Sequence, residues 1–161
     1  MTFEIVELTE FGNRKARIYS LSEVGCEDTL FDEFLYEIKD NNEPEMNDLL
    51  NRISVIAKDT GCIDGFFDKP EGSMGEDIFA LYDPIKRSLR AYCIRLGHVA
   101  IIIGGGGVKK TRTWQEDEKL SKAMNLLKKI INALDEKIGY REIKIDDYGQ
   151  LTGDLTIEIN T

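Results

Sequence analysis

Apolar and polar residues alternate through Phe3-Glu4-Ile5-Val6-Glu7-Leu8 and again through Lys15-Ala16-Arg17-Ile18-Tyr19-Ser20-Leu21. A period of two is that of a half-buried strand, and the turn residues Phe11-Gly12-Asn13 between the runs predict an N-terminal hairpin. From Asp28 the period lengthens: Leu30, Phe31, Phe34, Leu35 and Ile38 fall on one helical face, which fades at Asp40-Asn41-Asn42. A second helix is predicted with Pro44 near its first turn, Met46, Leu49, Leu50, Ile53, Ile56 and Ala57 on its apolar side, and Gly61 as its C-terminal cap. Two short helices with a tight connection predict an antiparallel helical hairpin.

The stretch from Phe67 to Gly75 is rich in turn residues and predicts a mobile loop. Three strands are expected after it: Ile78 to Asp83, Ser88 to Arg95, and His98 to Ile103, the last two separated by only Leu96-Gly97. In the middle one Leu89, Ala91 and Cys93 alternate with Arg90, Tyr92 and Ile94, which predicts one apolar face and a second presenting an arginine beside an aromatic ring. The run Gly104-Gly105-Gly106-Gly107 is expected to make a bulge or a flexible bend in the strand, and Val108 to Arg112 to resume as an edge strand or extended segment. Thr113-Trp114-Gln115-Glu116 reads as a capping box opening a long helix with Leu120, Ala123, Met124, Leu127, Ile130, Ile131, Leu134 and Ile138 buried and Gly139 at its end. Arg141 to Asp146 and Asp154 to Ile159 are expected to pair as a C-terminal hairpin. The order hairpin, helix pair, strands, helix, hairpin is that of an α+β domain, and the short turns between successive strands predict antiparallel pairing throughout.

At 161 residues, 42% apolar, the chain is expected to form one domain, 1–161, with a sizeable core. No apolar stretch has a membrane helix's length, and the acidic start Met1-Thr2-Phe3-Glu4 is unlike a signal peptide, so a cytoplasmic location is expected. Cys26, Cys62 and Cys93 lack C-x-x-C spacing and are expected to be reduced thiols; His98, the sole histidine, has no cysteine beside it, so neither a metal site nor a cofactor is expected. The glycine run is not a P-loop, because Val108 and Lys109 stand where its second glycine would be, and G-x-G-x-x-G fails as well. The net charge of −9 is unevenly spread. Residues 1–83 carry 7 Lys/Arg against 20 Asp/Glu, residues 84–114 carry 7 against none, and residues 115–161 carry 7 against 10. An acidic body with one purely basic strip argues against a protein that coats nucleic acid with its whole surface and directs attention to the strip.

Within that strip, Arg90-Ala91-Tyr92-Cys93, then the apolar strand to Ile103, then Gly107-Val108-Lys109-Lys110-Thr111 before a helix, resemble the RelE/ParE superfamily of toxins from toxin–antitoxin pairs, in particular its phage-derived, HigB-like branch. The resemblance spans roughly residues 27–138, with the terminal hairpins as extensions, and implies a helical hairpin packed on a twisted antiparallel sheet with a long helix after it. It also implies a ribosome-dependent endoribonuclease that needs no metal and cleaves mRNA by attack of a 2′-hydroxyl on the adjacent phosphate. The implied partners are a cognate antitoxin and mRNA on the ribosome, with no membrane and with homodimerisation left open. Arg90, Tyr92, Lys109 and Lys110 are the catalytic candidates and Arg87, Arg95, His98 and Arg112 the RNA-binding ones. Arginine and lysine would stabilise charge on the phosphorane, tyrosine would stack on a base or donate a proton, and histidine is the side-chain type that ordinarily titrates near neutrality. A lysine serves as a base only where neighbouring cations or burial lower its pKa.

Each candidate has a plainer role beside this one. Lys109 and Lys110 suit an edge strand that must not aggregate, Arg90 an ion pair with an acidic helix, His98 a surface turn, and Trp114 an anchor for the following helix. The alternative function is a non-catalytic RelE-like interaction module whose basic strip holds an acidic protein partner.

Overall fold

The computed structural model describes residues 1–69, 77–81, 89–108 and 117–160. Arg87, Lys109, Lys110, Arg112, the Thr113–Glu116 capping box and most of the turn-rich stretch after Phe67 lie outside the described residues. The fold is α+β, with three α-helices and a mostly antiparallel sheet among the described residues. Its strands are β1 (Thr2–Glu7), β2 (Arg17–Glu23), β3 (Phe67–Asp68), β4 (Ile78–Leu81), β5 (Leu89–Leu96), β6 (Ala100–Val108) and β9 (Thr156–Glu158), in the order β3-β4-β5-β6-β2-β1-β9. A separate hairpin joins β7 (Ile143–Ile145) to β8 (Leu151–Gly153).

The helices are α1 (Leu30–Ile38), α2 (Glu43–Val55) and α3 (Glu118–Gly139). α1 starts where Thr29 and Asp32 form a reciprocal capping box, each side chain bonding the other's backbone N–H. α2 takes Pro44 in its first turn, where the missing N–H costs nothing, and passes through a π-helical turn before Gly61, which sits at φ 72°. α3 opens later than the Thr113–Glu116 capping box implies: Asp117, itself extended, is its cap, and its carboxylate accepts from the Lys119 and Leu120 N–H groups. No helix among the described residues is long and apolar enough to cross a membrane.

Both faces of the central sheet are covered. Phe31, Phe34, Ile38, Leu49 and Ile53 from α1 and α2 pack on Ile18, Leu89, Ala91, Cys93, Ile101 and Ile103. Leu120, Met124, Leu127, Ile130, Ile131 and Leu134 from α3 pack on Tyr19, Leu21, Tyr92, Ile94 and Ile102. Unbroken apolar runs such as Ala100-Ile101-Ile102-Ile103 follow from this, since neither set of alternate side chains meets water. The expectation that the second face of β5 presents an aromatic ring beside Arg90 is therefore corrected at Tyr92, which is 2% exposed beneath α3.

Two features of the topology depart from the sequence reading. β2 pairs with β6 in parallel, Arg17 to Ser20 opposite Ala100 to Ile103, so the N-terminal hairpin is built into the interior of the sheet. The crossover that parallel pairing requires is supplied by the whole segment from α1 to β5, which the short local turns did not reveal. The C-terminal hairpin forms between Ile143–Ile145 and Leu151–Gly153, while the segment expected to close it pairs instead with β1 as β9. The Tyr19 hydroxyl ties that small hairpin to the sheet, donating to the Gly149 carbonyl and accepting from Leu151 N–H, both at 3.0 Å.

The parallel ladder ends at Ser20, which is fully buried. Its hydroxyl donates to the Ile103 carbonyl at 2.7 Å and accepts the Phe31 N–H of α1 at 3.2 Å. Ser20→Ala would leave both groups without that partner, and a buried polar group left unpaired costs about 1–3 kcal/mol. Urea unfolding of Ser20→Ala is expected to show a free energy lower by that amount, as a lower midpoint with an unchanged slope.

Candidate functional site

The four candidates among the described residues, Arg90, Tyr92, Arg95 and His98, do not gather at one place. Arg90 and Arg95 stand near opposite ends of β5, about 17 Å apart at ~3.3 Å per residue. His98 follows Arg95 into the β5–β6 turn, whereas Arg90 pairs with Gly107 at the far end of the hairpin. The register thus sets Arg90 beside the strand end that leads into Lys109, and it separates His98 from that end.

Arg95 is committed to local structure. Its guanidinium lies 4.8 Å from the Phe67 ring centroid and 5.7 Å from that of Phe79, and its Nη1 contacts Asp64 at 2.8 Å. Nη2 donates to the Cys62 carbonyl at 2.6 Å and Nε to the Gly97 carbonyl at 3.2 Å. Asp64 is almost fully exposed, so that ion pair contributes little; the ring contacts and the bond to Cys62 hold the side chain. His98 Nδ1 also reaches the Cys62 carbonyl, at 3.1 Å. A carbonyl can only accept, so Nδ1 carries the proton, and the exposed ring is oriented with its other nitrogen free to accept when neutral. Cys62 and Cys93 beneath are buried and unpaired as thiols; burial pushes Cys62 up to about 11 and Cys93 well above its ordinary value.

At the other end, Arg90 is half-buried and its Nη1 donates to the Leu89 carbonyl at 2.9 Å. Tyr92 lies on the same face, and burial pushes its hydroxyl up to about 12, with the charge of Arg90 opposing that rise and Asp117 adding to it. Arg90, Tyr92 and the α3 cap Asp117 are therefore electrostatic neighbours at the N-terminus of α3. A base cannot stack on a ring covered in this way, and a phenol titrating near 12 is a hydrogen-bond donor at neutral pH rather than a general base. Asp117, absent from the sequence candidates, carried only a weak signal: a carboxylate immediately before a strongly periodic helix.

The glycine run completes this end. It continues β6 as strand, with a register shift opposite Tyr92 and Cys93 that passes over Gly104. Of the bulge or flexible bend expected there, the strand has the bulge, inside a ladder that resumes with Gly105 opposite Tyr92. None of the four glycines has positive φ, so what they supply is the absence of a side chain. A Cβ on Gly104 would sit 2.5 Å from Leu127 Cδ2, one on Gly106 would collide with the Arg90 carbonyl, and one on Gly105 would meet nothing within 4 Å. Among the described residues no cluster of His, Cys, Asp or Glu is arranged to hold a metal ion.

Gly106→Ala is expected to destabilise the fold by about 1–3 kcal/mol through that backbone collision, and Gly105→Ala to be neutral or stabilising by up to about 1 kcal/mol, as read by thermal unfolding. The fold favours the protonated forms of Tyr92 and Cys62, so their contribution is complete below the unfolded values, near 10 and 9, and is lost as pH rises toward about 12 and about 11. Urea midpoints measured from pH 8.5 to 11.5 are expected to fall, and to fall less steeply in Tyr92→Phe and in Cys62→Ala. Compared with protein-family models, curated proteins and solved structures, the chain matches none of them.

Proposed function

We propose that this chain is a RelE-like toxin of a toxin–antitoxin pair, a ribosome-dependent endoribonuclease whose reaction centre lies at the Arg90 end of the β5–β6 hairpin. The observation that carries the reading is the register of Arg90 opposite Gly107, which brings a guanidinium to the strand end from which Val108-Lys109-Lys110-Thr111-Arg112 continues. The succession of helix pair, three antiparallel strands and long helix supports it, because that is the order in which the resemblance arranges its parts.

In this reading Arg90, Lys109, Lys110 and Arg112 supply the cations that stabilise charge on the phosphorane as the 2′-hydroxyl attacks. One lysine of the pair, its pKa lowered by the other cations, takes the 2′-proton, and the other, protonated, gives a proton to the 5′-oxygen as its bond to phosphorus breaks, leaving a 2′,3′-cyclic phosphate and a 5′-hydroxyl. Tyr92 acts from below, as a neutral donor that helps hold the site, and Arg87 contributes to RNA binding. Arg95 supports the turn through Phe67 and Cys62, and His98 lies too far along the hairpin to share in the reaction.

The alternative, a non-catalytic module holding an acidic protein partner, draws support from the burial of Tyr92, the engagement of Arg95 and the charge of −9. Inducible expression of the wild type beside Lys109→Ala with Lys110→Ala separates the two. Growth arrest with new in-frame mRNA 5′ ends, both lost in the double variant, is the expected result. Unaffected growth and intact mRNA at confirmed soluble expression would overturn the nuclease reading, and a protein complex that dissociates with salt would then support the module.

A further inference from the structure

Beyond Ile103 the sheet divides. β2 continues beside β1 alone, while Gly104 to Val108 remains paired with β5 and, among the described residues, has no strand on its other side. α1 and α3, which cover opposite faces elsewhere, meet across this fork through an ion pair between Glu37 and Lys119. Between them lies a cleft of about 190 Å³ floored by Gly104, Gly105 and Gly106 and walled by Leu30 and Phe34 of α1 and by Ala123 and Leu126 of α3. A second hollow continues past the ion pair over Gly107 and Val108.

A strand edge with nothing beyond it presents N–H and C=O groups at the spacing another extended chain requires. The open space above Gly105 lets a second backbone approach without meeting a side chain. The cleft is somewhat larger than the ~150 Å³ cavity that takes benzene, so it has room for one large apolar side chain. Its charge selects what flanks that side chain. Lys119 and Lys122 are paired with Glu37 and Glu118, α1 contains no lysine or arginine, and Glu33 on the rim has no ion-pair partner among the described residues.

We propose that this fork is a docking site for an extended segment of a partner protein, which adds as a short strand along Gly104 to Gly106. It seats one large apolar side chain between Phe34 and Leu126 and brings a lysine or arginine to Glu33. The Glu37–Lys119 pair, half-exposed on both sides, opens at little cost where the segment runs on toward Val108. The site uses neither Arg90 nor the residues after Val108, so it stands independently of the nuclease reading.

The test uses the full chain and three synthetic peptides followed by fluorescence anisotropy: acetyl-Lys-Thr-Leu-Thr-Lys-amide, its counterpart with glutamate for lysine, and its fully N-methylated form. The basic peptide is expected to bind saturably, with Gly104 to Gly106 amide resonances shifting, and both counterparts to bind at least tenfold more weakly. Gly105→Leu, whose side chain projects into the cleft, is expected to abolish binding with an unchanged melting temperature, and Glu33→Gln to weaken it several-fold. Absence of saturable binding, or equal binding by Gly105→Leu, would overturn the proposal. So would a concentration-dependent dimer abolished by Gly105→Leu in light scattering, because a second copy would then be the occupant.

Discussion

The parallel pairing of β2 with β6 is the contact on which the remaining architecture depends. It joins the sheet half made by β1, β2 and β9 to the half made by β3 to β6, and it fixes where α1 must begin. One hydroxyl, that of Ser20, fastens strand to strand and helix to strand at the last paired position. Because the ladder stops there, β6 runs on with no strand on one side among the described residues. The glycine segment, α1 and the first turns of α3 converge on the gap, so a local end of pairing creates a cleft between the helices.

Two-sided burial explains how the basic strip is partitioned. With α1 and α2 on one face and α3 on the other, a cation on β5 can reach water only toward the ends of the strand. Arg95 leaves at one end, where aromatic rings and a buried carbonyl hold it; Arg90 leaves at the other, where its charge and that of Asp117 both act on Tyr92. Arg90 and Arg95 are close in sequence and divided in space, so these two cations cannot serve one ligand together. Glu37 of α1 supplies the opposing charge for Lys119 of α3.

The local elements were legible because each rests on short-range physics. The period of α1, Pro44 in α2, Gly61 after it and the stripe of α3 specify helices wherever the rest of the chain lies. What lay beyond the sequence was non-local. Nothing in Arg17-Ile18-Tyr19-Ser20 states that its second neighbour is Ala100 to Ile103, and the segment expected to close the C-terminal hairpin carries the same alternation whether it pairs with Arg141–Asp146 or with β1. A usable signal was present in Ala100-Ile101-Ile102-Ile103, since consecutive apolar residues in a strand imply cover on both faces and hence a buried Tyr92. Of the site, the Arg90 neighbourhood was visible as a motif, whereas the distance of His98 from it, the role of Asp117 and the fork beside Gly105 follow from register alone.

The Ser20–Ile103 bond spans 83 positions of chain, and this has a kinetic side. The helices and the β5–β6 hairpin close small loops and can form early, whereas β2 finds β6 only after the intervening chain has been gathered in. Loop entropy must be met before that contact returns anything. The halves of the sheet are therefore expected to dock late, leaving the edge of Ala100 to Ile103 exposed on the way to the native state until β2 covers it.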